Sequence, residues 1–176
     1  VQPGNVKQAS TDTIWQWLSE IPDPEIPVLS LTDLGVIRDV RWEKGTLVVT
    51  VTPTYTGCPA TAVINLDIET KLRTCGVEDL RLEQKLSPPW TTDWLSAEGR
   101  EKLKNYGIAP PVDAVKDTRP LADRILQMTG ASKSSVSCPR CDSENTEKIS
   151  QFGSTPCKAA YRCKSCLEPF DYFKCH

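Results

Sequence analysis

Two Cys-x-x-Cys pairs lie near the C-terminus: Cys138-Pro139-Arg140-Cys141 and Cys163-Lys164-Ser165-Cys166. Two thiolates three positions apart can grip one metal ion from a tight turn, and a second such turn closes a tetrahedron around it. Twenty-one residues separate the pairs, just beyond the roughly 15–20 of the usual four-cysteine zinc pattern. The spacing predicts a structural zinc ion held by Cys138, Cys141, Cys163 and Cys166. A pair of disulfides and a rubredoxin-like iron are the competing readings. A closed four-thiolate site has no open position for substrate, so it predicts a folded metal module rather than a metalloenzyme.

Another thiol stands apart. Cys58 lies in Thr54-Tyr55-Thr56-Gly57-Cys58-Pro59, directly ahead of a helical pattern. Backbone N–H groups and the dipole at a helix N-terminus stabilise a thiolate, which is both a nucleophile and a soft metal ligand. A buried, inert thiol is the alternative. Upstream, Asp23-Pro24-Glu25-Ile26-Pro27 and Leu31-Thr32-Asp33-Leu34-Gly35 set three carboxylates on proline-stiffened backbone. Asp23 and Asp33 either cap turns, with Glu25 solvated, or all three converge with the thiolate on one pocket. Cys157 and Cys175 could add to the zinc site, pair with each other, hold a second soft metal, or stand beside the zinc with no role. Cys75, before Gly76, reads as an ordinary, partly buried thiol.

Composition excludes much else. His176 is the one histidine, so a Ser-His-Asp triad or a His-rich catalytic metal site is not expected. Paired Glu-x-x-His di-iron motifs cannot be built from it. No Gly-x-Gly-x-x-Gly or Walker loop supports flavin, nicotinamide or nucleotide binding. No catalytic residue is assigned. Net charge is -2, with 14 basic and 18 acidic side chains in residues 1–132 and 7 and 5 in residues 133–176. That is no nucleic-acid footprint. No stretch approaches the roughly 18–20 apolar residues of a membrane span. Val1–Asn5 lacks the charged start of a secretory signal. With eight cysteines, four in metal spacing, this predicts a protein of the reducing cytoplasm.

The elements that must position these residues follow from pattern. Ser10 or Thr11 caps a helix with an Ile14, Trp17, Leu18, Ile21 stripe. Pro22, Pro24 and Pro27 then hold an extended loop. Strands over 36–42 and 46–52, joined at Glu43-Lys44-Gly45, predict a hairpin. A helix over 60–74 has Pro59 in its first turn and an apolar stripe of Ala62, Val63, Leu66, Ile68 and Leu72. A third strand covers 80–83, and a short helix follows at about 97–105. The fold expected is α+β: a small helix-strand-strand-helix-strand domain, then a four-cysteine zinc ribbon. The boundaries are 1–107 for the α+β domain with its helical extension, 108–132 for a linker with a helix-like turn near 121–128, and 133–176 for the zinc module. An exposed edge of the small sheet can pair two copies into a homodimer. Trp90 and Trp94, in a Pro- and Thr-rich loop, are candidate interface anchors.

The motifs Asp23-Pro24-Glu25-Ile26-Pro27-Val28, Asp33-Leu34-Gly35-Val36-Ile37 and Thr54-x-Thr56-Gly57-Cys58-Pro59 resemble the small domain of SufT-like proteins and cytosolic iron–sulfur targeting factors. Pro89-Trp90-Thr91-Thr92-Asp93-Trp94, Tyr106-Gly107-Ile108-Ala109-Pro110-Pro111, the run from Phe152 to Cys163 and the ending Pro169–Cys175 resemble the D-type accessory subunits of bacterial phenylacetyl-CoA epoxidase systems. The resemblance spans about residues 10–176. It implies an accessory or maturation component that helps iron or iron–sulfur insertion into the oxygenase and reductase subunits of the system. It also implies that Asp23, Glu25, Asp33, Thr54, Thr56 and Cys58 match the family's motif positions. Any iron or cluster would be held transiently, beside the structural zinc. A non-catalytic docking role is the other reading.

Overall fold

The computed structural model describes residues 9–55, 57–112 and 136–174. Thr56, Cys175 and the helix-like turn expected near 121–128 lie outside them, as does most of the expected linker. Contacts divide the chain into two compact units, residues 1–99 and 100–176.

In the first unit, α1 (Thr11–Ser19) begins where the Ser10 hydroxyl accepts a hydrogen bond from the Thr13 N–H, at 3.2 Å. Its Ile14 and Leu18 are fully buried. The strands β1 (Ile37–Glu43), β2 (Thr46–Val51) and β3 (Leu80–Gln84) form one sheet with β2 in the centre. β1 and β2 are the predicted hairpin. β2 and β3 run parallel, so the chain needs a crossover between them, and α2 (Thr61–Thr74) supplies it. Leu47, Val49 and Val51 of β2 alternate with Val48 and Thr50, so the sheet has two distinct faces. α1 packs on α2 and on β1, and the Trp42 indole N–H reaches the Ala9 carbonyl at 3.0 Å.

The expected stripe of α2 is corrected. Ile64, Ile68 and Leu72 are its buried positions, whereas Val63 and Leu66 are 46% and 62% exposed and Ala62 is also exposed. Four-residue spacing stacks the buried three on a single narrow face, and Ala62, Val63 and Leu66 rotate away from it. The helix also starts later than expected. The Cys58 carbonyl accepts from the Thr61 N–H at 3.1 Å and Ala60 takes the cap position, which leaves Pro59 in the preceding turn.

Trp90 is corrected as well. It is 4% exposed and donates its indole N–H to the Leu34 carbonyl at 2.8 Å, so it is a core anchor, not an interface residue. Gly35 shows why the adjoining loop is so specific. Its φ is +71°, and an added Cβ would come within 2.9 Å of the Trp94 Cβ and closer still to its carbonyl. Only glycine meets both conditions.

The second unit holds a four-stranded sheet in the order β4 (Ile108–Ala109), β7 (Pro169–Phe173), β6 (Lys158–Cys163), β5 (Thr146–Ser150). Ile108 and Ala109 thus pair with Asp171 and Tyr172. α3 (Ala97–Tyr106) precedes β4. Ala109, Val136, Cys138, Cys163 and Phe170 form a small core flanked by Tyr161 and Tyr172. Two of the four knuckle cysteines belong to this cluster, so a metal held there would be tied directly to the packing of the module.

Candidate functional site

Two turns bring four sulfurs together in the second unit. Asp142 donates its N–H to the Cys138 carbonyl at 2.9 Å, closing the first knuckle. In the second, the N–H groups of Ser165 and Cys166 both point at the Cys163 sulfur, each at 3.4 Å. Those of Cys166 and Ser165 hold the Cys163 thiol down, at a pKa of about 6. Cys138 and Cys163 are buried while Cys141 and Cys166 face solvent. The Cys138–Cys166 and Cys141–Cys163 Sγ separations are 3.8 and 3.6 Å, and all four sulfurs lie within 4.8 Å of one another. A tetrahedron with Zn–S bonds of about 2.3 Å has edges of about 3.8 Å. The donor set and its dimensions therefore fit zinc, and the four sulfurs would hold it with no position left open.

Cys157 does not join them. It is 4% exposed, and its sulfur lies 3.0 Å from the Thr155 hydroxyl. Among the described residues, the four knuckle cysteines are the one group of three or more His, Cys, Asp or Glu whose ligand atoms come together.

In the first unit, Cys58 sits in the loop between the end of β2 and the start of α2 and is 8% exposed. Its N–H donates to the Tyr55 carbonyl at 3.3 Å. Gly57, with φ +82°, lets the chain turn sharply enough to place Cys58 there. Thr54, four residues before it, is half-buried. Cys75 is also half-buried.

The acidic loop is built from inward-facing carboxylates. Asp23 is 5% exposed and its Oδ1 accepts from the N–H groups of Glu25 and Ile26, at 2.9 and 2.8 Å. Asp33 is 7% exposed. It accepts from the Ser30 N–H at 3.0 Å, the Ser30 hydroxyl at 2.8 Å and the Ser96 hydroxyl at 3.1 Å. Glu25 is half-buried. Asp23 and Asp33 thus tie three stretches of loop backbone together.

One cluster escaped the sequence. On the face of the sheet carrying Thr50, Arg41 binds Asp39, Glu43 and Glu83, each at 2.7 Å, and the Thr50 hydroxyl at 3.1 Å. Asp39, Arg41, Thr50 and Glu83 also help line a cleft of about 830 Å³, together with Arg38, Thr52, Lys85 and Trp94. The available signal was period-two charge: Asp39, Arg41 and Glu43 on β1 against Arg81, Glu83 and Lys85 around β3. It is uninformative until the register is known.

Similarity to known proteins falls into the same two parts. Residues 11–79 match the family described as iron-sulfur cluster assembly protein, and residues 123–174 match the PaaD zinc beta ribbon domain. A protein of Escherichia coli (strain K12), provisionally named as the D subunit of 1,2-phenylacetyl-CoA epoxidase, is 47% identical over 162 residues, 92% of this chain and 91% of that protein. An Fe-S protein maturation auxiliary factor of Porphyromonas gingivalis (strain ATCC BAA-308 / W83) is 34% identical over 52% of this chain and 89% of its own length. The Fe-S protein maturation auxiliary factor YitW of Bacillus subtilis (strain 168) is 31% identical over 52% of this chain and 90% of its own. With the Escherichia coli protein matched over nearly the full length of both chains, and both component domains matched, this chain belongs to the family of phenylacetyl-CoA epoxidase D subunits.

Proposed function

We propose that this chain is a non-catalytic maturation factor that helps deliver iron or an iron–sulfur cluster to the oxygenase and reductase subunits of a phenylacetyl-CoA epoxidase system in the cytoplasm. The observation that carries this reading is the position of Cys58. It lies within residues 11–79, the part matching the iron–sulfur cluster assembly family, and outside the four-sulfur cluster. The loop follows β2, at the carboxyl end of a parallel strand pair, where ligands commonly bind in α/β arrangements.

In this reading the iron is cargo and Cys58 is its transient thiolate ligand. A single thiolate holds a soft metal weakly enough to pass it on, whereas four thiolates retain it. Asp23 and Asp33 contribute by fixing the loop backbone. By motif alone, Glu25, Thr54 and Thr56 are the further candidates for the transfer site. Zinc in the second unit has a structural role only.

Anaerobic reconstitution of the reductase's cluster with iron and sulfide tests the proposal. Cys58→Ala should slow cluster assembly relative to the wild-type chain while zinc content stays unchanged. Equal assembly by the two proteins removes Cys58 from the role.

A docking role is the second reading, favoured by a specific observation. Ile149, Phe152 and Leu167 in the second unit are 60, 63 and 62% exposed, an apolar presentation that suits a partner surface. Stoichiometric co-purification with the oxygenase, together with full epoxidase yield in cells carrying Cys58→Ser, would favour it.

A further inference from the structure

The first unit's sheet carries two adjacent transverse rows of side chains, and one row explains the other. In the lower row Asp39 of β1 pairs with Thr50 of β2, and Thr50 with Glu83 of β3. Two carboxylates thus flank a hydroxyl. Arg41 closes that row, meeting Asp39, Thr50 and Glu83 at once.

The upper row has the same construction with the charges reversed. Thr52 donates its N–H to the Val36 carbonyl at 2.8 Å, and Lys85 donates its N–H to the Val51 carbonyl at 2.9 Å. These bonds extend the sheet past the end of β2 and set Thr52 between the β1 side and Lys85. Arg38 sits at the register shift between Ile37 and Asp39, and an extra residue in a strand re-aims its side chain. Arg38, Thr52 and Lys85 all line the same cleft. Two cations flank a hydroxyl, on strands about 10 Å apart.

Among the described residues neither Arg38 nor Lys85 has a carboxylate partner. Thr52 is 2% exposed and lines the cleft between them. Arg38 is already oriented: its guanidinium lies 3.5 Å from the centre of the Trp94 ring, and it gives one long hydrogen bond, 3.3 Å, to the Gly35 carbonyl. A guanidinium stacked on an aromatic face keeps its remaining N–H donors in plane, ready for a carboxylate.

We propose that the Arg38–Thr52–Lys85 row is the binding site for a carboxylate side chain on an acidic, extended segment of a partner polypeptide. The cleft is far larger than a single ion requires. Its two cations stand on the outer sides of a three-strand face, which suits a stretch of chain laid across the strands. The site is independent of whether Cys58 handles metal.

Fluorescence anisotropy of a fluorescein-labelled tetraglutamate peptide, titrated with the full zinc-loaded chain at low salt, tests it. A saturable rise is expected, absent for a tetralysine peptide and weakened by added salt. Lys85→Glu and Arg38→Gln should each weaken binding by about tenfold or more. Thr52→Val, which keeps the side chain's shape, should weaken it severalfold, and Thr52→Ser should retain it. Circular dichroism melts of each variant confirm that it is folded. Three results would overturn the proposal: no rise with the wild-type chain, binding by Lys85→Glu and Arg38→Gln equal to wild type, or displacement of the peptide by inorganic phosphate at equal concentration. The last would make this a site for free oxyanions.

Discussion

Cysteine is arranged in opposite ways in the two units. In the second, two turns bring four sulfurs within 4.8 Å of one another, with backbone N–H groups fixing Cys163. In the first, Cys58 rests in a glycine-bearing turn and, among the described residues, belongs to no such cluster. Four converging thiolates keep a metal and stabilise a fold. A solitary thiolate can only bind what it will release. The contrast separates a metal that is part of the protein from a metal that the protein would handle.

The largest effect should come from breaking the closed site. Cys138→Ser removes one zinc ligand from the core of the second unit. Structural zinc contributes about 10–16 kcal/mol of apparent binding free energy to small modules, so this variant should lose its zinc and the folded signals of residues 136–174. The first unit's signals should persist. Zinc analysis together with two-dimensional NMR checks both halves. Acidification should act in the same direction, because protons compete with zinc for the thiolates. Zinc release should increase as the pH falls.

Removing the ties of the first unit should cost less. Asp33→Ala leaves the Ser30 and Ser96 donors without their acceptor and should destabilise by about 2–4 kcal/mol in urea unfolding. Gly35→Ala meets both the positive φ and the Trp94 backbone. A loss of about 2 kcal/mol or more is expected. Neither variant should change zinc content. The smallest effect belongs to the outer face of α2. Leu66→Gln should stay within about 0.5 kcal/mol of the wild type, because Leu66 is 62% exposed.

Local signals were the legible ones. The Cys-x-x-Cys knuckles, the Ser10 cap and the β1–β2 hairpin each depend on residues close in sequence, and so did the α+β class with its zinc ribbon. Features that depend on long-range packing were harder. Val63 and Leu66 are apolar by type, yet only the Ile64–Ile68–Leu72 face is buried. Trp90 looked like an exposed loop aromatic until Leu34, 56 residues away, accepted its N–H. The Arg41 network and the Arg38–Thr52–Lys85 row exist only through strand register, which no single strand encodes. For the candidate transfer site, the place of Cys58 ahead of a helix and the proline-bound Asp23 and Asp33 were legible from the residues, and motif resemblance joined them. The sequence left open whether the two aspartates cap turns or bind ligands, since a carboxylate among prolines suits either. Thr56 and Cys175 lie outside the described residues.

The central claim, that the thiol outside the zinc cluster is the one that handles cargo, has a direct test. Zinc-loaded wild-type chain and Cys58→Ser are each mixed anaerobically with ferrous iron, sulfide and the apo-reductase, and cluster formation is followed by its visible absorption. The account predicts faster assembly with the wild type, a loss of that acceleration in Cys58→Ser, and identical zinc content in the two. Equal acceleration by both proteins would contradict it.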